Sequence, residues 1–146
     1  MVDRAPMMKI TNKELSILGA ALYSCEGTKL RRDKRRKNNV YHWVIEFTNS
    51  NPSLIKYFLV FLRRVIKIDE SRLKGQLFIY NDLKQKRIEK DWSVISGIPL
   101  NNFNKTIILK SRNTKYKPNL NGTFKIRYHS KDAFQKLDLL INKIFQ

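Results

Sequence analysis

Leu18-Gly19-Ala20-Ala21-Leu22-Tyr23-Ser24-Cys25-Glu26-Gly27-Thr28-Lys29 runs from a thin apolar segment into an acid, a glycine and a strongly basic stretch. Just upstream, Thr11 and Glu14 form a T-x-x-E capping box, which predicts a helix over about residues 12–26. Leu15, Leu18, Leu22 and Cys25 recur at helical spacing, and Ile17 and Ala21 add a second stripe. A helix apolar on several sides is buried on several sides. Gly27 would end it. The macrodipole disfavours an acid at a helix C-terminus, so Glu26 is not explained by local stability. Seven of the ten residues from Thr28 to Lys37 are Lys or Arg. An acid facing so much positive charge points to a metal-binding carboxylate over a polyanion, DNA before others. The plainer alternatives are a surface acid at a helix end and a solvated basic hairpin.

Working outward, 30 Lys/Arg against 12 Asp/Glu give a net charge of +18 over 146 residues, with 42% hydrophobic residues. That is enough chain and apolar content for one domain with a core, and a charge that steers association with nucleic acid. A basic ribosome-associated protein has similar composition. The single cysteine, Cys25, excludes an internal disulfide and a cysteine-based zinc site, and is expected as a small packed residue. No apolar run of about 18 residues is present. The opening MVDRAPMMK lacks the apolar core of a signal peptide. A cytoplasmic or organellar, non-secreted protein is therefore expected. His42 and His129, far apart in sequence, do not suggest a metal site.

The remaining periodicities predict a basic strand over 29–37 with a turn at Asn38-Asn39, a strand over 41–48, and a helix from Asn49-Ser50-Asn51-Pro52 to about Lys67. A strand over 73–80, a helix over 83–96 closed by Gly97-Ile98-Pro99, strands over 105–110 and 123–129, and a helix over 131–145 follow. Residues 113–121 read as a polar loop. The order α-β-β-α-β-α-β-β-α, with no composition break, predicts a single α+β domain over 1–146. Residues 83–99 lack the second helix of a helix-turn-helix. Alternation puts Lys74, Gln76 and Tyr80, and Lys125, Arg127 and His129, on the face away from the core. Helices on one face and Lys, Arg, Gln and Tyr on the other predict a groove-binding sheet. In the hairpin, Leu30, Arg32, Lys34 and Arg36 would share one face with Val40, His42, Val44 and Glu46 and read bases. Lys29, Arg31 and Arg35 would reach phosphates, and Lys37 completes the DNA-binding set.

The opening stretch resembles the LAGLIDADG homing endonuclease family. Setting Glu26 on the motif's last acid and Gly27 on its last glycine places Ala20, Ala21 and Leu22 on its alanine, glycine and leucine. The basic hairpin, the Asn-Ser-Asn-Pro helix start, the tryptophan-bearing helix ending in Gly-Ile-Pro and the Ile-Arg-Tyr strand before a final helix extend the likeness along nearly the whole chain. The resemblance implies an αββαββα-type fold with a saddle-shaped antiparallel sheet, here with one extra helix over 83–96. It also implies a homodimer packed through its motif helices, with Leu18, Gly19, Ala20, Ala21 and Tyr23 at the interface, the small residues permitting close approach.

The activity implied is site-specific, magnesium-dependent hydrolysis of both strands of a long, nearly palindromic DNA duplex across the minor groove, leaving 3′ overhangs and serving intron mobility. Mn2+ or Ca2+ would substitute for binding. Glu26 would be the metal ligand and Asn49 the residue that positions water. Glu26 stands where Asp is usual, and Ser24 replaces the motif's first acid. Relatives on the same fold act as non-cleaving DNA-binding regulators or RNA-splicing maturases, which is the alternative reading.

Overall fold

The computed structural model describes residues 8–32, 35, 40–81, 83–110 and 121–145, Arg31 and Arg32 by their backbone. Helix α1 (Asn12–Glu26) begins at the capping box, with Glu14 N donating to Thr11 Oγ1 at 3.2 Å and Thr11 N donating to Glu14 Oε1 at 3.0 Å. It ends at Gly27, whose φ of −78° is ordinary extended backbone. Glycine is required there for space, because a Cβ would lie 2.3 Å from the Tyr23 ring. Helix α2 (Pro52–Phe61) is capped by Asn51 Oδ1, which accepts from Ser53 N at 2.9 Å. It continues into a π-helical turn, Leu62–Ile66, closed by Lys67 N donating to Leu62 O at 2.8 Å. Helix α3 (Gln85–Ser96) stops at Gly97, left-handed at φ 69°. Helix α4 (Lys131–Phe145) is capped by Ser130 Oγ, which accepts from Ala133 N at 3.1 Å.

Two short strands, β1 (Arg31–Arg32) and β2 (Tyr41–His42), pair antiparallel at the base of the basic hairpin. The main sheet has β3 (Val44–Asn49), β4 (Lys74–Tyr80), β5 (Ile107–Leu109) and β6 (Thr123–His129) in the order β3-β6-β4-β5. β6 is antiparallel to both neighbours, but β5 runs parallel to β4. The sheet is therefore mixed, which corrects the expected antiparallel one. Residues 97–106 carry the chain back along β4, through a parallel bridge between Gly75 and Phe103, so β5 starts from the same end as β4. The turn at Asn38-Asn39 and the loop over 111–120 lie outside the described residues.

The helices gather on the face carrying Ile45, Phe47, Leu77, Ile79, Phe124 and Ile126, each no more than 1% exposed. Phe58 of α2 stacks on Phe47 at 4.4 Å, and Trp92 of α3 tilts against Phe124 at 5.0 Å. Thr106 Oγ1 donates to Glu89 Oε1 at 2.6 Å, tying α3 to the approach of β5. The buried stripe of α1 is Leu15, Gly19, Ala20 and Tyr23, one step round the helix from the expected Leu15, Leu18, Leu22 and Cys25. Gly19 explains the shift. The ring of Phe61 occupies the space a Cβ would fill, 2.2 Å away. Cys25 is exposed rather than packed. No helix among the described residues is long and apolar enough to cross a membrane.

Candidate nucleic-acid interface

On the sheet face away from the helices, strand register sets the side chains in rows. Val44 stands beside His129; then come Glu46, Arg127 and Lys74; then Thr48, Lys125 and Gln76; then Thr123, Phe78 and Ile107; and finally Tyr80 and Leu109. The second and third rows are cationic and polar, while the last two are mostly aromatic and aliphatic. The alternation predicts the cationic part. It also predicts Tyr80 there, but not Ile107 and Leu109, which are exposed by 39% and 38%. Their signal was present in the run Ile107-Ile108-Leu109.

Two residues assigned to base reading do not offer a surface. Val44 is 4% exposed, an apolar side chain opposite His129 in the β3–β6 register. Glu46 is 3% exposed, and its Oε2 accepts from Arg127 Nε at 3.0 Å and Nη2 at 2.9 Å, with Lys125 Nζ 3.5 Å away. A carboxylate taken out of water needs such partners. Lys125 also lies over the Phe78 ring at 5.1 Å. Gln76 donates through Nε2 to Lys105 O at 2.9 Å, so part of its amide holds the chain before β5. Lys74 and Tyr80 are half-buried, and His129 is exposed.

Of the hairpin set, Lys34, Arg36 and Lys37 lie outside the described residues, and Arg31 and Arg32 are placed by backbone pairing with His42 and Tyr41. Arg35 and His42 are exposed. Lys29 Nζ donates to Ser24 O at 3.1 Å, which gives it a local role as a cation on the C-terminal carbonyls of α1. Leu30 lines a groove of about 430 Å³ with Trp43, Phe134 and Ile141, so it turns toward α4 and not toward the open sheet face. That corrects its base-reading assignment. His42 and His129 do come within electrostatic reach of each other. Burial, then Arg127, hold the His129 imidazole below its ordinary range, with smaller contributions from His42 and Arg72 and an opposing one from Glu46.

The end of α1 is fixed to the free edge of β3. Gly27 forms an antiparallel bridge with Phe47, Thr28 N donates to Glu46 O at 3.0 Å, and Tyr23 OH donates to Thr28 O at 2.6 Å while accepting from Glu46 N at 3.3 Å. This register brings Glu26, exposed, to the stretch of β3 that ends in Asn49. Asn49 Oδ1 accepts from Asn51 N at 2.8 Å, and its NH2 is the donor half of the amide. Such a group can orient a water by donating to it but cannot take its proton. Among the described residues no three His, Cys, Asp or Glu side chains converge to hold a metal. Glu26, an exposed carboxylate, has the hard-oxygen chemistry that suits Mg2+.

The expected interface set on α1 divides. Gly19, Ala20 and Tyr23 belong to the core of a single protomer; Ala20 is fully buried, and Tyr23 is 2% exposed and stacks on Phe58 at 5.8 Å. These three are used up by Phe61, Phe58 and β3 and cannot form a surface between protomers. Leu18 and Ala21 do lie on the outward arc, beside exposed Ile17 and Cys25 and half-buried Ser24. No protein-family model, curated protein or solved structure matches this chain.

Proposed function

We propose that this chain is one half of a homodimeric, magnesium-dependent, site-specific DNA endonuclease of the LAGLIDADG type, acting on a long, nearly palindromic duplex. The observation that carries the reading is the placing of Glu26: an exposed acid at the end of a helix whose outward arc, Ile17, Leu18, Ala21, Ser24 and Cys25, carries no charge, pinned by the Gly27–Phe47 bridge beside a sheet with a cationic face. Two-fold pairing through Ile17, Leu18, Ala21 and Ser24 would bring two copies of Glu26 together and extend the cationic faces in opposite directions along one duplex. Lys74, Lys125 and Arg127 then meet the DNA from the sheet, and the hairpin cations flank it.

A divalent cation bound there would shield charge developing on phosphorus and supply an activated water. Glu26 would hold it together with phosphate oxygens. Asn49 would orient a water through its NH2. The basic rows would fix the register of the duplex against that acid.

The test is a cleavage assay on a randomised duplex library with Mg2+, wild type beside Glu26→Gln. Magnesium-dependent double-strand breaks that vanish in the variant are expected. Selective duplex retention by both proteins, without cleavage, favours the second reading, a DNA-binding regulator or maturase. The cationic rows of the sheet face would serve such a binder equally well. In that case Glu26→Gln should bind tighter than wild type, since an acid near phosphates then only repels.

A further inference from the structure

Glu46 is the sole acid among the described residues of the open sheet face. Its side chain is 4% exposed, while Lys125 and Arg127 keep 22% and 29%. The two cations reach solvent and could be hydrated without help; the carboxylate could not. A well-packed apolar or β-branched residue serves a buried strand position at least as well as an ion pair in most folds. β3 already has its packing from Ile45 and Phe47 on the other side. The pairing of β3 with β6 therefore does not call for an acid at this place.

What the acid does accomplish is geometric. Its Oε2 accepts from Nε and Nη2 of Arg127, the two donors along one side edge of the guanidinium. The plane of the fork is thereby set, and the end edge, Nη1 with the second N–H of Nη2, stays open. Among the described residues, the hydrogen bonds of the Arg127 side chain go to Glu46. An end-on guanidinium fork matches the paired acceptors of a guanine edge in the major groove. Left unclamped, the same flexible cation would take the nearest phosphate, which carries no sequence information.

We infer that Glu46 is a positioning residue for sequence preference: it clamps Arg127 so that the open end of the guanidinium meets a base edge in a bound duplex. The inference rests on the duplex-binding reading above. It is separable from it, because Glu46 sets which duplex is preferred and not whether duplex is bound.

Duplexes enriched by the wild-type chain from a randomised library supply the selected probe, and the unenriched library is the reference. Glu46→Gln should bind the reference several-fold tighter, with a log–log salt slope steeper by about 0.9 per chain as one more phosphate is engaged. Its preference for the selected probe should fall about tenfold or more, the worth of one bidentate base contact, with the loss confined to one base pair per half-site. Arg127→Lys keeps the charge but lacks the fork, and should lose preference at the same base pair. A Glu46→Gln chain with the wild-type preference overturns the inference. Should that variant not fold, an Arg127→Lys chain with unchanged preference overturns it equally. A wild-type chain that enriches no duplex removes the binding reading itself; enrichment by wild type with unmoved variants removes the inference alone.

Discussion

Phe47, Ile126 and Gly75 form a row on one face of the sheet; one residue along the same strands, Glu46, Arg127 and Lys74 form a row on the other. Phe47 and Glu46 are almost equally buried, at 0% and 3% exposure, yet burial means different things for them. Phe47 needs only apolar neighbours of the right volume, and it has Phe58 at 4.4 Å. Glu46 needs charged partners in a set geometry, chief among them Arg127, 81 residues away in sequence. The inner face tolerates exchange of like for like, while the outer face depends on pairs.

The largest expected effect lies on the inner face. Phe47→Ala should cost about 3–5 kcal/mol in urea unfolding, transfer and cavity terms together. A loss below about 1 kcal/mol would mean the row collapses around the void, and the contrast between the faces would weaken. On the outer face the pair should respond asymmetrically. Arg127→Ala removes the two donors closest to a buried carboxylate while Lys125 stays 3.5 Å away, and should cost roughly 2–3 kcal/mol, below the full penalty for an orphaned buried charge. Glu46→Gln leaves two cations that reach water, and should cost under about 1 kcal/mol. Equal losses would break the distinction.

The same contrast extends to the two sides of α1. Gly19→Ala drives a methyl group into the Phe61 ring, and overpacking of this kind costs about 1–3 kcal/mol. Ala21→Ser on the outward arc should change the stability of the chain by less than about 0.5 kcal/mol. If the two substitutions give matching shifts in thermal midpoint, the inward stripe has been misplaced.

The smallest effect concerns protonation. His129 is held below its ordinary 6.5 in the folded chain, chiefly by burial. The unfolded chain therefore binds the proton more readily, and stability falls as pH drops below about 6.5 toward the depressed folded value. Above 6.5 both states are neutral and the contribution vanishes. Thermal midpoints of wild type and His129→Gln should therefore diverge between pH 7.5 and 5, with the variant less sensitive; parallel curves would place the histidine in ordinary solvent.

What could be read in the sequence was what local chemistry dictates. The capping box of Thr11 and Glu14 places α1, and alternation and helical spacing place Thr123–His129 and Lys131–Phe145 to the residue. The side of α1 that turns inward could not be read, because a glycine counts as nothing in an apolar pattern while here it receives an aromatic ring. The direction of β5 has no local signal either; the path of the preceding ten residues beside β4 sets it. At the candidate site, strand parity puts Glu46 and Arg127 on one face correctly. Their pairing depends on β3 and β6 lying side by side, which no short stretch encodes. Glu26 was visible as an acid at a helix end, but its fixing beside β3 needed the Gly27–Phe47 bridge.

β6 lies between β3 and β4, although both are made before it. During synthesis, then, β3 and β4 lack the strand that joins them until residues 123–129 emerge, and β4 has only β5 to pair with. The long-range pairing that closes the sheet is also the slow part of folding. Until that insertion Glu46 has no Arg127, and the cations of α2, α3 and the hairpin belong to a chain without an ordered basic face. The order of strands thus acts as a timer: the ordered cationic face on which the proposed duplex binding depends exists only once the central strand has been threaded into place.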